Sequence, residues 1–318
     1  MVISPFRSSV GNRRLLKIMA LPFWAFRFLY YVAKERNWAF LRFYPGYHGS
    51  TIPSRKFIEQ NRTRLFQKSS TVDDGIDLNR TQQQELLEKF VAFFPDFTPP
   101  EDPTHGALYF YNNSMLGFSD AFALYGICRT FKPARIIEIG SGFSSALMLD
   151  ICREFLPDAN LTFIDPYSET IGRVLKSRPQ GNYELLRREV QDIDLEFFRQ
   201  LGENDVLFID TSHSIKIGSD LSSIFFSILP ALKPGVIVHI HDIYFPWEYP
   251  EEMIVEGRTY NEVYFVRAFL QYNNAFEIIY NTSQMELEQP DCYTNRMPGY
   301  FKKTGQKAGQ SLWLRKTR

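Results

Sequence analysis

RIIEIGSGFSSA, residues 135–146, is an apolar, β-branched run that meets two closely spaced glycines and then a small-residue helix start. Glycines at 140 and 142 let the backbone turn sharply and approach a ligand with no Cβ in the way. Ser144 and Ser145 can cap the helix that follows, whose free N–H groups make an electropositive rim. A Gly-x-Gly-x-x-Gly loop would suggest a dinucleotide, but Ser145 stands at the third glycine position. Glu138 puts a carboxylate where a pyrophosphate would gain nothing from it, whereas a ligand carrying an ammonium would welcome the charge. The turn predicts an α/β fold with a nucleotide-like ligand beyond its first strand.

Around this turn, short β-rich runs alternate with helical stretches. Strand candidates are 135–140, LTFID (161–165), YELLRREV (183–190), DVLFID (205–210) and VIVHIHD (236–242). The intervening helices are predicted at 144–156, 171–178, 195–202 and 220–233. Such alternation implies right-handed crossovers and a parallel sheet covered on both faces, a Rossmann-like doubly wound arrangement. Two later strands, FEIIYN (276–281) and SLWLRK (311–316), follow a helix at 260–272. They are expected to close the sheet as an antiparallel hairpin through a short link, giving seven strands with the last one reversed. Upstream, Asn79 or Thr81 is expected to cap a helix in which Leu86, Leu87, Phe90 and Phe94 recur at helical spacing. A further helix is predicted over 115–131. The domain plan is a basic aromatic extension (1–70), a helical lead-in (71–130) and the α/β domain (131–318).

The chain of 318 residues has 44% hydrophobic and 23% charged residues and a formal charge of zero, so its overall charge makes no case for a nucleic-acid partner. Cys128, Cys152 and Cys292 are odd in number and lack metal-ligand spacing, which points to reduced packing residues and a cytoplasmic protein. The local charge is less even. Thirteen Lys/Arg precede residue 69 against only Glu35 and Glu59. Within that segment, LLKIMALPFWAFRFLYYVA (15–33) is broken by Lys17, Pro22 and Arg27, unlike a signal peptide or a membrane span. Residues 1–40 suit peripheral contact with a membrane surface or a hydrophobic arm packed on protein. Oligomeric state is not legible.

Ligands of a doubly wound sheet gather beyond the carboxyl ends of its strands. Five acids fall there: Glu138, Asp165, Asp192, Asp210 and Asp242. Asp165, 23 residues after Gly142, suits both hydroxyls of a ribose. Asp192, beside Gln191, suits an adenine edge or a simple helix cap. A second cluster gathers Asp210, His213, His239, His241 and Asp242. His213 is the candidate general base, because an imidazole titrates near neutrality. Asp220 is placed either to orient it or to cap a helix. His239 and His241 share one face of their strand and read either as ligands or as hydrogen-bonded core residues, His239 more readily as core. Tyr244, Trp247, Tyr249, Arg258, Tyr260 and Glu262 follow the fifth strand as a lid and acceptor pocket, or as aromatic packing.

EIGSGFSS, FIDP, FIDTSH and LKPGVIVHIHD together resemble the class I S-adenosylmethionine-dependent methyltransferases, closest to their small-molecule O-methyltransferase branch. The resemblance covers 130–318 and, more loosely, the helical lead-in; the first seventy residues lie outside it. It implies cofactor contacts at Glu138, Gly140, Ser141, Gly142, Ser144, Asp165 and Asp192. By the same resemblance Asp210, His241 and Asp242 match the ligands of a divalent metal such as Mg or Mn. His241 departs from the usual oxygen ligand and suits Mn, Fe or Zn better. The reaction implied is methylation of a hydroxyl on a small-molecule or glycan-like acceptor, with His213 as base and Asp210 beside it. Two rivals remain at this point: an NAD-dependent oxidoreductase, and a non-catalytic module that binds cofactor or partner at a membrane surface.

Overall fold

The computed structural model describes residues 25, 26, 30, 44–66, 75–177, 181–258, 260–305 and 307–318. The chain divides into two units, Met1–Leu65 and Phe66–Arg318. Most of the apolar segment 15–33, with its expected membrane or packing role, lies outside the described residues. In the first unit, turns at 44–50 lead to helix α1 (Arg55–Phe66). Ser54 opens that helix by accepting from the Phe57 N–H, and Arg55 pairs with Glu59 at 2.9 Å.

The second unit is built on seven strands. They are β1 (Arg135–Ile139), β2 (Asn160–Ile164), β3 (Tyr183–Leu186), β4 (Val206–Ile209), β5 (Ile237–Ile240), β6 (Phe276–Asn281) and β7 (Leu312–Lys316), in the order β3-β2-β1-β4-β5-β7-β6. The first five are parallel, and β7 runs antiparallel to both β5 and β6. This is the Rossmann-like doubly wound sheet with a reversed last strand.

The helices are α2 (Arg80–Phe93), α3 (Phe118–Phe131), α4 (Phe143–Phe155), α5 (Glu169–Ser177), α6 (Leu195–Phe198), α7 (Asp220–Ser223), α8 (Leu229–Ala231), α9 (Glu251–Val255), α10 (Glu262–Leu270), α11 (Thr282–Glu288), α12 (Pro290–Arg296) and α13 (Tyr300–Lys303). A π-helical turn, Ile224–Ile228, joins α7 to α8. Strand period two sorts the sheet residues between two cores. Ile136, Phe163, Val206, Phe208, Ile237 and Trp313 meet α2–α5 and α11–α13 on one face. Ile137, Ile139, Leu207, Ile209, Val238 and Leu314 meet α6–α10 on the other. With both faces covered, the central strands are apolar at almost every position, and each fully buried Ile or Leu contributes roughly 1.5–3 kcal/mol. Among the described residues no helix is long and apolar enough to cross a membrane.

Several local expectations change. β6 and β7 do pair, but residues 282–311 between them carry α11–α13 rather than a short link. That insertion buries Met285, Tyr293 and Tyr300 against the first core, a gain that a tight turn would forgo. The third strand stops at Leu186, because the chain turns back at Arg188 (N–H to Leu186 O, 3.0 Å) and then forms a 3-10 turn at Val190–Asp192. Asn79 precedes α2 in a left-handed conformation and makes no side-chain cap. Its amide instead donates to Ile278 O at 3.1 Å, tying the lead-in to β6. Helix α3 begins at Phe118, later than predicted, because Asn113 Oδ1 accepts from Met115 and Leu116 N–H and holds residues 113–116 in a turn.

Candidate active site

Gly140 ends β1 at φ 83°, and a Cβ there would lie 1.8 Å from the Asp210 carbonyl oxygen. Only glycine lets the loops after β1 and β4 close together in this way. The space above them is a cavity of about 490 Å³ at the carboxyl ends of β1, β2 and β4. Gly140, Ser141, Asp165 and Asp210 line it, joined by Tyr167, Val190, Gln191 and Lys216. Asp165 Oδ2 accepts from the Ser141 N–H at 3.2 Å and hydroxyl at 2.5 Å, and Oδ1 accepts from the Tyr167 N–H at 2.8 Å. Both Asp165 carboxylate oxygens are thus held at the cavity wall by donors of the adjoining loops.

The other expected cofactor residues stand elsewhere. Glu138 is fully buried and does not line the cavity; its carboxylate accepts from the hydroxyls of Ser144 and Ser145. Burial pushes the Glu138 carboxyl up to about 8, against the pull of the two seryl hydroxyls. Ser144 is therefore a buried partner of Glu138, and Ser145 Oγ also accepts the Gly142 N–H at 3.0 Å. Gly142 faces Met115, whose methyl carbon would be 3.0 Å from an added Cβ. Asp192 is exposed and outside the cavity lining, which its neighbours Val190 and Gln191 supply.

The second cluster does assemble. His213 Nδ1 lies 2.8 Å from Glu262 Oε2, and Nε2 lies 3.3 Å from Asp210 Oδ1 and 3.4 Å from Asp242 Oδ2. Burial alone would lower the His213 pKa. Hydrogen bonds to Asp210 and Glu262 and the nearby charges of Glu262 and Asp242 outweigh it and carry the ring up to about 11. Burial raises the Glu262 carboxyl, and the His213 ring works against that. For Asp210 burial also raises, but His241 and His213 together bring it down to about 2. His213 and Asp242 both adopt left-handed backbone, φ 55° and 57°, the kind of local strain that the surrounding contacts must hold in place.

Glu262 was expected only among lid residues; nothing in a sequence separation of 49 residues announces its contact with His213. Asp220 does not orient His213. It accepts from the Ser212 N–H at 3.0 Å and hydroxyl at 2.6 Å. His239 is a core residue, stacked on Phe208 at 3.7 Å and bonded to Ser311 Oγ at 3.0 Å. His241 is buried beside Asp120, and its Nδ1 has no hydrogen-bond partner among the described residues. Burial lowers its pKa, yet Asp210, Asp120 and Asp242 produce a net rise. Of the expected lid, Trp247 and Tyr249 are core side chains, Arg258 is exposed beside Glu256, and Tyr260 lies 4.9 Å from the His213 ring.

A divalent ion does not fit these residues as they stand. Among the described residues no group of three His, Cys, Asp or Glu side chains could hold a metal. His213 Nε2 stands against both carboxylates expected to share the ion, 3.3 Å from Asp210 Oδ1 and 3.4 Å from Asp242 Oδ2.

Residues 137–243 match a family described as a methyltransferase domain. The chain is a class I S-adenosylmethionine-dependent methyltransferase. It shares 36% identity over 168 residues with an uncharacterised protein of Archaeoglobus fulgidus, covering 51% of the methyltransferase and 75% of that relative, and belongs to one family with it. Similar solved structures include the O-methyltransferase TomG from Streptomyces achromogenes, involved in tomaymycin synthesis and complexed with S-adenosylmethionine. It is 14% identical with a TM-score of 0.41, over 82% of this chain and 96% of that one. The methyltransferase PaMTH1 of Podospora anserina, bound to S-adenosylhomocysteine, is 16% identical with a TM-score of 0.40, over 72% and 93%. Those superpositions carry no residue roles across. The match to a methyltransferase domain favours methyl transfer over the oxidoreductase reading.

Proposed function

We propose that the methyltransferase methylates a hydroxyl group of a small-molecule or glycan-like acceptor presented to the Asp210–His213–Asp242 cluster. The observation that carries this reading is the continuity of the cavity with the cluster: Asp210 belongs to both. S-adenosylmethionine supplies an electrophilic methyl group on a sulfonium. Asp165 and Ser141 are proposed to hold its ribose, with Val190 and Gln191 beside its adenine. The carboxylates around His213 present negative charge to the sulfonium end.

The residues' own work is then positional and protic. A hydroxyl oxygen must be aligned with the methyl carbon, shielded from water and relieved of its proton. His213 is a weak acceptor in the resting site, because both ring nitrogens face carboxylates and its pKa is raised to about 11. We therefore assign proton acceptance to the Asp242 carboxylate, since Asp210 is held down at about 2, and assign His213 to holding both carboxylates in place. The new bond joins the methyl carbon to that oxygen, the carbon–sulfur bond breaks, and the hydroxyl proton passes to a carboxylate.

The test is a panel of phenols, catechols, sugars and amines incubated with the full chain and methyl-deuterated S-adenosylmethionine, followed by mass spectrometry. Label on a hydroxyl oxygen is expected. Label confined to amines overturns the reading. Asp210→Asn should lower turnover about 100-fold or more while S-adenosylhomocysteine affinity changes little. Peripheral membrane contact through residues 1–40 is part of the proposal, supported by their basic and apolar composition. Co-sedimentation with anionic vesicles should fall when those residues are deleted; unchanged binding removes that element.

A further inference from the structure

We infer that a small polar cavity beside the first glycine turn anchors the acceptor, and that the acceptor is a polyhydroxylated, sugar-like molecule rather than a flat phenol, an assignment that rests on the hydroxyl-methylation reading and narrows it. The cavity measures about 60 Å³ and lies between the turn before α3 and the segment before β7. Two contacts tie it to the acceptor side of the site. Met115 lines it and also stands against Gly142, 3.0 Å from where a Cβ would be. One turn therefore borders both cavities, through Gly140 and Ser141 on the larger and through Gly142 and Met115 on this one. Gln310 lines it as well, and its carbonyl accepts the Ile243 N–H at 2.9 Å, one residue beyond Asp242.

The chemistry of the wall favours hydroxyl groups. Asp120, only 2% exposed, brings a buried carboxylate to it, with Oδ1 accepting the Gln310 N–H at 2.8 Å. Gln310 Oε1 accepts the Tyr244 hydroxyl at 2.5 Å, which leaves the amide nitrogen to donate. Lys307 adds an ammonium with donors only, and Ser114 a hydroxyl that can donate or accept. These groups come from a helix, a turn and a loop, so they meet partners that point in several directions, as the hydroxyls of a puckered ring do. A phenol or catechol holds its hydroxyls in one plane, on a ring that needs apolar faces. An apolar cavity that takes benzene is about 150 Å³. This one is smaller and polar, and it admits a hydroxylated edge. The wall is held by the protein's own bonds: Glu286 Oε2 accepts the Gly309 N–H at 2.8 Å, and Asn113 Oδ1 fixes Met115 and Leu116. A partner thus meets donors and acceptors already in place.

The experiment is saturation-transfer NMR on the full chain saturated with S-adenosylhomocysteine. The probes are the methyl glycosides of glucose, galactose, mannose and rhamnose, together with myo-inositol, catechol and phenol. At least one of the polyols should bind, and neither catechol nor phenol should displace it. Lys307→Ala, a change at an exposed side chain, should weaken that binding about tenfold or more while S-adenosylhomocysteine affinity holds. Asp120→Asn should do the same; should it fail to fold, Lys307→Ala decides. Catechol or phenol binding in preference to every polyol overturns the inference. So does a set of polyols none of which binds, or polyol binding that neither variant weakens. In each of those cases, label on a hydroxyl oxygen in the mass-spectrometric assay leaves the hydroxyl reading standing, and label confined to amines overturns that reading independently.

Discussion

Glu138 shows how much a single position can and cannot say from sequence. Its place two residues before Gly140 marks the turn, but the direction of its side chain depends on two hydroxyls supplied by the next helix. With its pKa raised to about 8, the native carboxyl is mostly protonated at pH 7 and behaves as a buried neutral hydrogen-bonding group. Glu138→Gln should therefore melt within a few degrees of the wild type at pH 7. Glu138→Ala leaves two buried hydroxyls short of an acceptor and opens a cavity, a loss of about 2–4 kcal/mol. Urea unfolding of both variants checks this, and equal losses would contradict it. Gly140 is the opposite case, fully legible from its motif. Gly140→Ala places a methyl against a backbone carbonyl that cannot swing away, in a left-handed conformation as well. S-adenosylhomocysteine binding, followed by calorimetry, should be lost.

At the level of elements, β-branched runs and their alternation with helices marked the strands, because that pattern is local. What escaped was long-range. Gln83 reads as a polar residue on a helix, yet it is fully buried; it donates to Gln284 Oε1 at 2.9 Å and accepts from Asn281 N–H at 2.7 Å. Its partners lie some two hundred residues away, beyond any periodicity. The same holds for Glu262, which in sequence is only an acid in the first turn of an apolar helix. The start of α10 is in fact a clamp on the loop after β4, through Asn261 to Ile215 and through Glu262 to His213. That loop contributes Lys216 to the cavity wall. Asn261→Ala removes both side-chain bonds to Ile215, so stability should fall by about 1–3 kcal/mol. S-adenosylhomocysteine affinity should drop several-fold with it. An affinity unchanged from wild type would show that the clamp does not shape the cavity.

Across the whole molecule, three buried ionisable groups keep protons in the native state above the pH at which the unfolded chain gives them up, a pattern that no sequence count reveals, since formal charge sums to zero. Glu138 is raised to about 8 and Glu286 to about 7, each mainly by burial. Both keep a proton in the native state that the unfolded chain gives up above about pH 4.5, so each draws stability down as pH rises through its window. His213, raised to about 11 against the opposing effect of burial, contributes stability that is complete below about pH 6.5 and is lost on the way to pH 11. Two groups act on the acid side. Asp210, lowered to about 2, loses its contribution only as pH falls below about 4, while His239 is held neutral by burial and costs stability below about pH 6.5. Above pH 6.5 the opposing histidine no longer matters and the remaining shifts all run downhill, each at up to about 1.4 kcal/mol per pH unit. Unfolding free energy should thus decline steadily from pH 6.5 to pH 9. Urea denaturation at half-unit intervals measures the slope, and Glu138→Gln should flatten the portion below pH 8 because its amide has no proton to lose. A curve that is level or rising across that range would mean that these carboxyls meet water, and that the buried arrangement around Ser144, Ser145 and Tyr300 is not the one the protein adopts.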